Sequence, residues 1–129
     1  QAQVLNLLEE LKKQFNMAVI MITHSLGIVA ETCDRVAVMY AGEVVEVGSV
    51  KDVFANPLHP YTKGLFTSLP DLENKVERLQ SIPGNMPDPM DLPKGCRFST
   101  RCQLKGPECA NRPSLLKHGE NQYVACFKA

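Results

Sequence analysis

"VIMITHSLGIVAETCDRVAVMYAGEVVEVGS", residues 19–49, changes its apolar rhythm three times, and the fold class is read from those changes. Ala18 to Ile22 is apolar without a break. A short continuous run of this kind, rich in Val, Ile and Met, is what a strand of a parallel sheet needs when both faces are covered, so it predicts a buried strand over residues 18–23. A helix is expected from Leu26 to about Cys33, then a strand from Arg35 to Tyr40, a turn at Ala41-Gly42 and a return strand from Glu43 to Val47. Ser49 with Asp52 three residues later has the form of a capping box, opening a short helix that Asn56-Pro57 stops after Ala55. Upstream, Val4, Leu5, Leu8, Leu11 and Phe15 mark one face of a helix running to Gln14, with Glu9, Glu10, Lys12 and Lys13 opposite and a turn at Asn16. The order helix, strand, helix, strand, strand defines an α/β fold with parallel strands and a hairpin.

Composition narrows the function classes. The 129 residues carry 14 Lys and Arg against 14 Asp and Glu, so no net charge favours nucleic acid or an anionic membrane surface as a partner. The Ala18–Ile22 run is far short of the roughly 20 apolar residues that span a bilayer, and no leader-like segment precedes it. Gln1 opens directly into a helical pattern and reads as the interior of something larger. All nine prolines lie between Pro57 and Pro113, as do three of the five cysteines, with Cys126 beyond them. A second, loop-rich module is therefore expected beyond Pro70, held by something other than a large core.

His24 ends the apolar run. In open α/β sheets the carboxyl ends of parallel strands face the ligand crevice, so a histidine there can reach a bound group. A lone histidine in such a place more often hydrogen-bonds a nearby carbonyl. The surrounding residues decide between the two. "MITHSLGIVAETCDRVAVMYAGEVVEVGS" (21–49) closely resembles the switch-histidine region of ABC transporter ATPases, where an apolar strand, Thr-His, a short helix ending in Cys-Asp-Arg and a strand hairpin follow in that order. "NPLHPYTKGLFTSLP" (56–70) and "IPGNMPDPMDLPKGCRFSTRC" (82–102) look like the carboxyl-terminal extension of the oligopeptide and dipeptide importer branch, so the resemblance covers essentially the whole chain.

The resemblance implies a partial P-loop ATPase domain over residues 1–55, linker and docking helices over 56–80, and a cysteine-rich extension over 81–129. It makes His24 the catalytic switch residue, in contact with the γ-phosphate of ATP and helping to hold the attacking water, in a full-length protein that uses ATP and Mg. It further implies a second ATPase subunit, identical or different, and membrane permease subunits as partners. The location would be the cytoplasmic face of the membrane, and the task import of oligopeptides, dipeptides or related solutes such as nickel. Ser25 stands where the family usually carries Asp, and it can still cap the following helix. No G-x-x-x-x-G-K-[S/T] loop, signature motif or strand-borne Asp-Glu pair occurs in these residues, so the chain alone is expected to be inactive and, with an unpaired sheet edge, to self-associate. The alternative is a metal- or iron–sulfur-binding regulatory module, with the α/β half as scaffold.

Cys96, Cys102, Cys109 and Cys126 are separated by five, six and sixteen residues. Disulfides would suit a core-poor module, but the compartment implied by the ATPase half keeps thiols reduced. Structural zinc usually shows Cys-x-x-Cys knuckles, whereas irregular spacing suits an iron–sulfur cluster; zinc stays open as the alternative. The resemblance adds weight to the cluster, since some peptide importer ATPases bind a four-iron, four-sulfur cluster through such a tail. Thr100-Arg101-Cys102 replaces the family's usual Pro-Arg-Cys, and Gln122 stands where a His often precedes the last Cys. His118 is a substitute ligand only if it leaves solvent. Cys33 reads as a small buried hydrophobe. Tyr61, Leu65, Phe66 and Leu69, at helical spacing behind Pro60, form a face expected to dock the tail, and His59, flanked by prolines, reads as structural.

Overall fold

Asn16 ends the first helix, and it does so in the left-handed conformation that Asn tolerates better than most residues, at φ 50° and ψ 45°. The computed structural model describes residues 1–69 and 81–129 and divides them into two units, Gln1–Cys33 and Asp34–Ala129. In the first unit, helix α1 spans Ala2–Phe15, with Leu5, Leu8 and Leu11 half-buried and Val4 and Phe15 exposed. Lys12 and Lys13 stand in its last turn, where a positive charge meets the partial negative charge of the helix end. Helix α2, Leu26–Thr32, is capped by Ser25, whose Oγ accepts the Ile28 N–H at 3.4 Å.

The segment between these helices corrects the sequence reading. Residues 17–23 form no strand, and Ile20 and Ile22 are 93% and 98% exposed. All strand pairings among the described residues are antiparallel and lie within Asp34–Ala129, so the expected parallel strand has no ladder to join. A strand exists only through a neighbour's N–H and C=O groups, and apolar side chains are buried only by something laid over them. The apolar run meets neither condition here.

In the second unit, β1 (Arg35–Tyr40) and β2 (Glu43–Ser49) form a hairpin. Its turn residues Ala41 and Gly42 both have positive φ, 47° and 80°, the backbone that matches a two-residue connection to the twist of the strands. The register shifts between Val38 and Met39, leaving Val38 and Tyr40 buried and Met39 exposed. The other edge of β2 takes β4 (Gln122–Val124), and β4 takes β3 (Leu116–His118), giving one sheet in the order β1-β2-β4-β3. The tail thus supplies half the strands of the sheet.

Helix α3, Val50–Ala55, opens with the capping box read from the sequence: Ser49 Oγ accepts the Asp52 N–H at 3.0 Å and donates to the Asp52 carboxylate at 2.6 Å. Helix α4 spans Pro60–Thr67. The core is Val38, Tyr40, Val45 and Phe98, with Tyr61, Leu65, Ile82, Cys96 and Cys102 packed against it. Phe98 meets Tyr40 edge-on at 5.1 Å, and Phe66 meets Phe54 at 4.7 Å, so Tyr61, Leu65 and Phe66 all find partners while Leu69 stays partly exposed. The part of the docking segment at residues 70–80 lies outside the described residues.

Candidate functional site

His24 stands in an exposed bend immediately before α2. Two hydrogen bonds fix the backbone around it: the Ser25 N–H donates to Thr23 Oγ1 at 3.0 Å, and Ser25 Oγ receives the Ile28 N–H. The imidazole therefore rides on a local turn rather than on the end of a paired strand. Its position is set by the helix cap, and its exposure leaves the ring nitrogens open to a ligand.

The tail cysteines are placed by close backbone approaches. The Cys96 N–H donates to the Cys109 carbonyl at 3.0 Å, and a Cβ built on Gly95 would stand 2.3 Å from that same oxygen, so only glycine permits the approach. Cys109 is buried in the 3₁₀ turn Pro107–Ala110. Cys126 follows β4 directly, behind Ala125, whose N–H donates to the Val45 carbonyl at 2.9 Å, and its sulfur accepts the Lys128 N–H at 3.3 Å. Cys102, like Cys96, packs on the core.

All four are free thiols in one electrostatic neighbourhood. Burial pushes the Cys96 thiol up, and Cys109, Cys126 and Cys102 add like-charge repulsion, against the lowering effect of a hydrogen bond from the Phe98 backbone. Burial also raises Cys126, with Cys102 and Cys109 adding to it, while the Lys128 backbone hydrogen bond and the Lys63 charge act in the other direction. Among the described residues, no three His, Cys, Asp or Glu side chains are gathered tightly enough to hold a single metal ion. His118 is exposed on β3. Cys33 is half-buried at the end of α2, its sulfur 3.7 Å from Thr32 Oγ1.

A buried polar knot, hardly visible in the order of the residues, joins the hairpin to the tail. Glu46 is fully buried on β2. Its carboxylate accepts the Leu58 and His59 N–H groups, each at 2.9 Å, and the Gln122 amide at 3.3 Å; that amide also donates to the Asn56 carbonyl at 2.9 Å. The only available signal was indirect. Leu58 and His59 lie between Pro57 and Pro60, where their N–H groups precede the helix and need an outside acceptor if buried. His59 is itself buried and caps α4, its Nδ1 accepting the Tyr61 N–H at 3.0 Å, and burial, helped by the Lys63 charge, lowers its pKa to about 4. Gln122, which replaces a histidine expected from the resemblance, is committed to Glu46 and Asn56.

Residues 45–109 match the family model for the oligopeptide/dipeptide transporter C-terminal region. The chain is 49% identical to the oligopeptide transport ATP-binding protein AppD of Bacillus subtilis, over 98% of its own length and 39% of that protein. It is 48% identical to the oligopeptide transport ATP-binding proteins OppD of Haemophilus influenzae and Escherichia coli, over 98% and 99% of its length and 39% and 38% of theirs. It thus spans about two fifths of the length of these relatives. With half of its residues inside the family model, the chain belongs to the oligopeptide/dipeptide transporter C-terminal region family.

Proposed function

We propose that this chain is part of the ATP-hydrolysing subunit that energises import of oligopeptides or dipeptides, working at the cytoplasmic face of the membrane with a second ATPase subunit and membrane permease subunits. The observation that carries this reading is near-50% identity, across almost the entire chain, to proteins that are oligopeptide transport ATP-binding proteins. Consistent with a subunit that sits on a membrane without crossing it, no helix among the described residues is long and apolar enough to span one. The same relatives favour the ATPase reading over the scaffold-and-sensor alternative.

In this reading His24 is the catalytic residue of the chain. Phosphoryl transfer depends on positioning and on charge stabilisation, and a Mg ion bound with ATP in the full-length protein would neutralise part of the phosphate charge. The imidazole donates a hydrogen bond to the terminal phosphate and orients the attacking water. Ser25, by capping α2, holds the bend that presents the ring. In the full-length protein assayed with its partner domain, His24→Ala is expected to keep ATP binding and to lower turnover by about a hundredfold, the scale of losing one transition-state donor. Near-normal turnover would overturn the assignment.

For the tail we propose that Cys96, Cys102, Cys109 and Cys126 hold a four-iron, four-sulfur cluster. What supports this reading is the donor chemistry: four free cysteines whose thiols act on one another electrostatically, although among the described residues no three such side chains are gathered tightly enough for a single metal ion. A cluster places irons and sulfides between its ligands, so its thiolates stand further apart, and its cationic irons offset the repulsion among them. Iron and sulfide on elemental analysis after anaerobic expression are the expected result; zinc would install the alternative, and no metal would remove the site.

A further inference from the structure

We propose that the buried Glu46 carboxylate and the Gln122 amide form an interlock that holds the four tail thiols, Cys109 buried and Cys96, Cys102 and Cys126 half-buried, against the β1–β2 hairpin, so that the state of the thiols and the docking of the tail are one coupled equilibrium. Three attachments converge on β2. Gln122 lies opposite Gly48 in the ladder and reaches past it to Glu46 and to the Asn56 carbonyl. The packing at this point is tight, since a Cβ on Gly48 would stand 2.9 Å from both Gln122 Cγ and Val53 Cγ2. Four residues beyond Gln122 comes Cys126, and between them the Ala125 N–H is tied to the Val45 carbonyl.

The other cysteines rest on the same hairpin. Cys96 and Cys102 pack on the cluster that Val38, Tyr40 and Val45 contribute, and Cys109 is tied to Cys96 through the backbone. β4 is only three residues long, with edge strand β3 beyond it, so its ladder with β2 is short and the Gln122 amide adds the polar grip that fixes its register. Removing that amide leaves a fully buried carboxylate with one donor fewer, a cost larger than that of the lost hydrogen bond. Coupling of this kind is reciprocal: whatever ties the thiols together must shift the opening equilibrium of the Glu46 contacts by the same factor by which the interlock shifts that of the thiols.

The test uses the chain itself under reducing conditions and needs no metal, so its outcome is separate from the transporter and cluster readings. Alkylation rates of each cysteine are followed by mass spectrometry in the wild type, in Gln122→Met, which keeps the side chain's length and removes its hydrogen bonds, and in Lys117→Met as a surface control. Gln122→Met is expected to raise the rates at Cys96, Cys102, Cys109 and Cys126 about tenfold, with Cys33 unchanged. Lys117→Met is expected to raise none. In parallel, the Leu58 and His59 amides, which donate to Glu46, are expected to exchange faster with deuterium in Gln122→Met by a similar factor. Should Gln122→Met lower the helix signal in circular dichroism, Gln122→His, which restores a donor, takes its place and is expected to return the wild-type rates. Unchanged thiol rates in Gln122→Met, or an equal rise at Cys33, overturns the interlock.

Discussion

His59 shows how a single side chain can link composition to behaviour. It sits between two prolines, caps α4 through its neutral Nδ1, and is buried with a pKa of about 4 against an ordinary value of 6.5. The unfolded chain therefore takes up a proton between these values that the folded chain refuses. Stability contributed by the neutral ring is complete above pH 6.5 and is lost as the pH falls toward 4, by about 3 kcal/mol at most. In His59→Asn, which keeps a capping acceptor but does not titrate, urea midpoints measured from pH 7 to pH 4 are expected to lose this component of the slope. An unchanged slope would show that other groups cause it. At Glu46 the expectation follows from burial: Glu46→Ala leaves the Leu58 and His59 N–H groups without their acceptor, and a loss of about 3 kcal/mol or more is expected in denaturant unfolding.

Among the elements, the hairpin and the tail stand or fall together through Phe98, which the tail inserts against Tyr40 and Tyr61. Phe98→Ala is expected to cost roughly 3–5 kcal/mol and to expose Cys96 and Cys102, which share its cluster. Equal stability of variant and wild type would mean that the tail docks by other contacts. Much of this level was legible in the residues. Helix α1 with its Asn16 stop, the Ser25 and Ser49 caps, the Ala41-Gly42 turn and the Pro60 helix start are all written in local chemistry within a few positions. What was not legible depended on distant partners. The run at 18–23 has the composition of a covered strand, but composition cannot say whether the cover is within reach. Strands β3 and β4 read as loop because each is three residues long, and only their neighbours in the sheet make them strands. Nothing in the strand from Glu43 to Val47 marked Glu46 as a buried acceptor, since that role is fixed by N–H groups twelve and thirteen positions away. The four cysteines could be listed from the sequence, whereas their approach depends on Gly95 and on the backbone pairing of Cys96 with Cys109.

For the whole molecule, Ile20 and Ile22 are exposed, and self-association of the chain in solution is the outcome we predict from them. Light scattering is expected to give a mass above that of one chain, and the double variant Ile20→Lys, Ile22→Lys is expected to move it toward the monomer; a monomeric wild type would contradict this. The same apolar run leads into His24, so these exposed side chains adjoin the residue proposed to act on ATP. The most direct test is peptide uptake into vesicles by the full-length protein assembled with its permease subunits. ATP-dependent accumulation of a labelled oligopeptide is expected with the wild type, together with near-complete loss in His24→Ala despite retained ATP binding. Uptake at the wild-type rate in His24→Ala, or no ATP-dependent uptake of any peptide by the wild type, would contradict the proposed function.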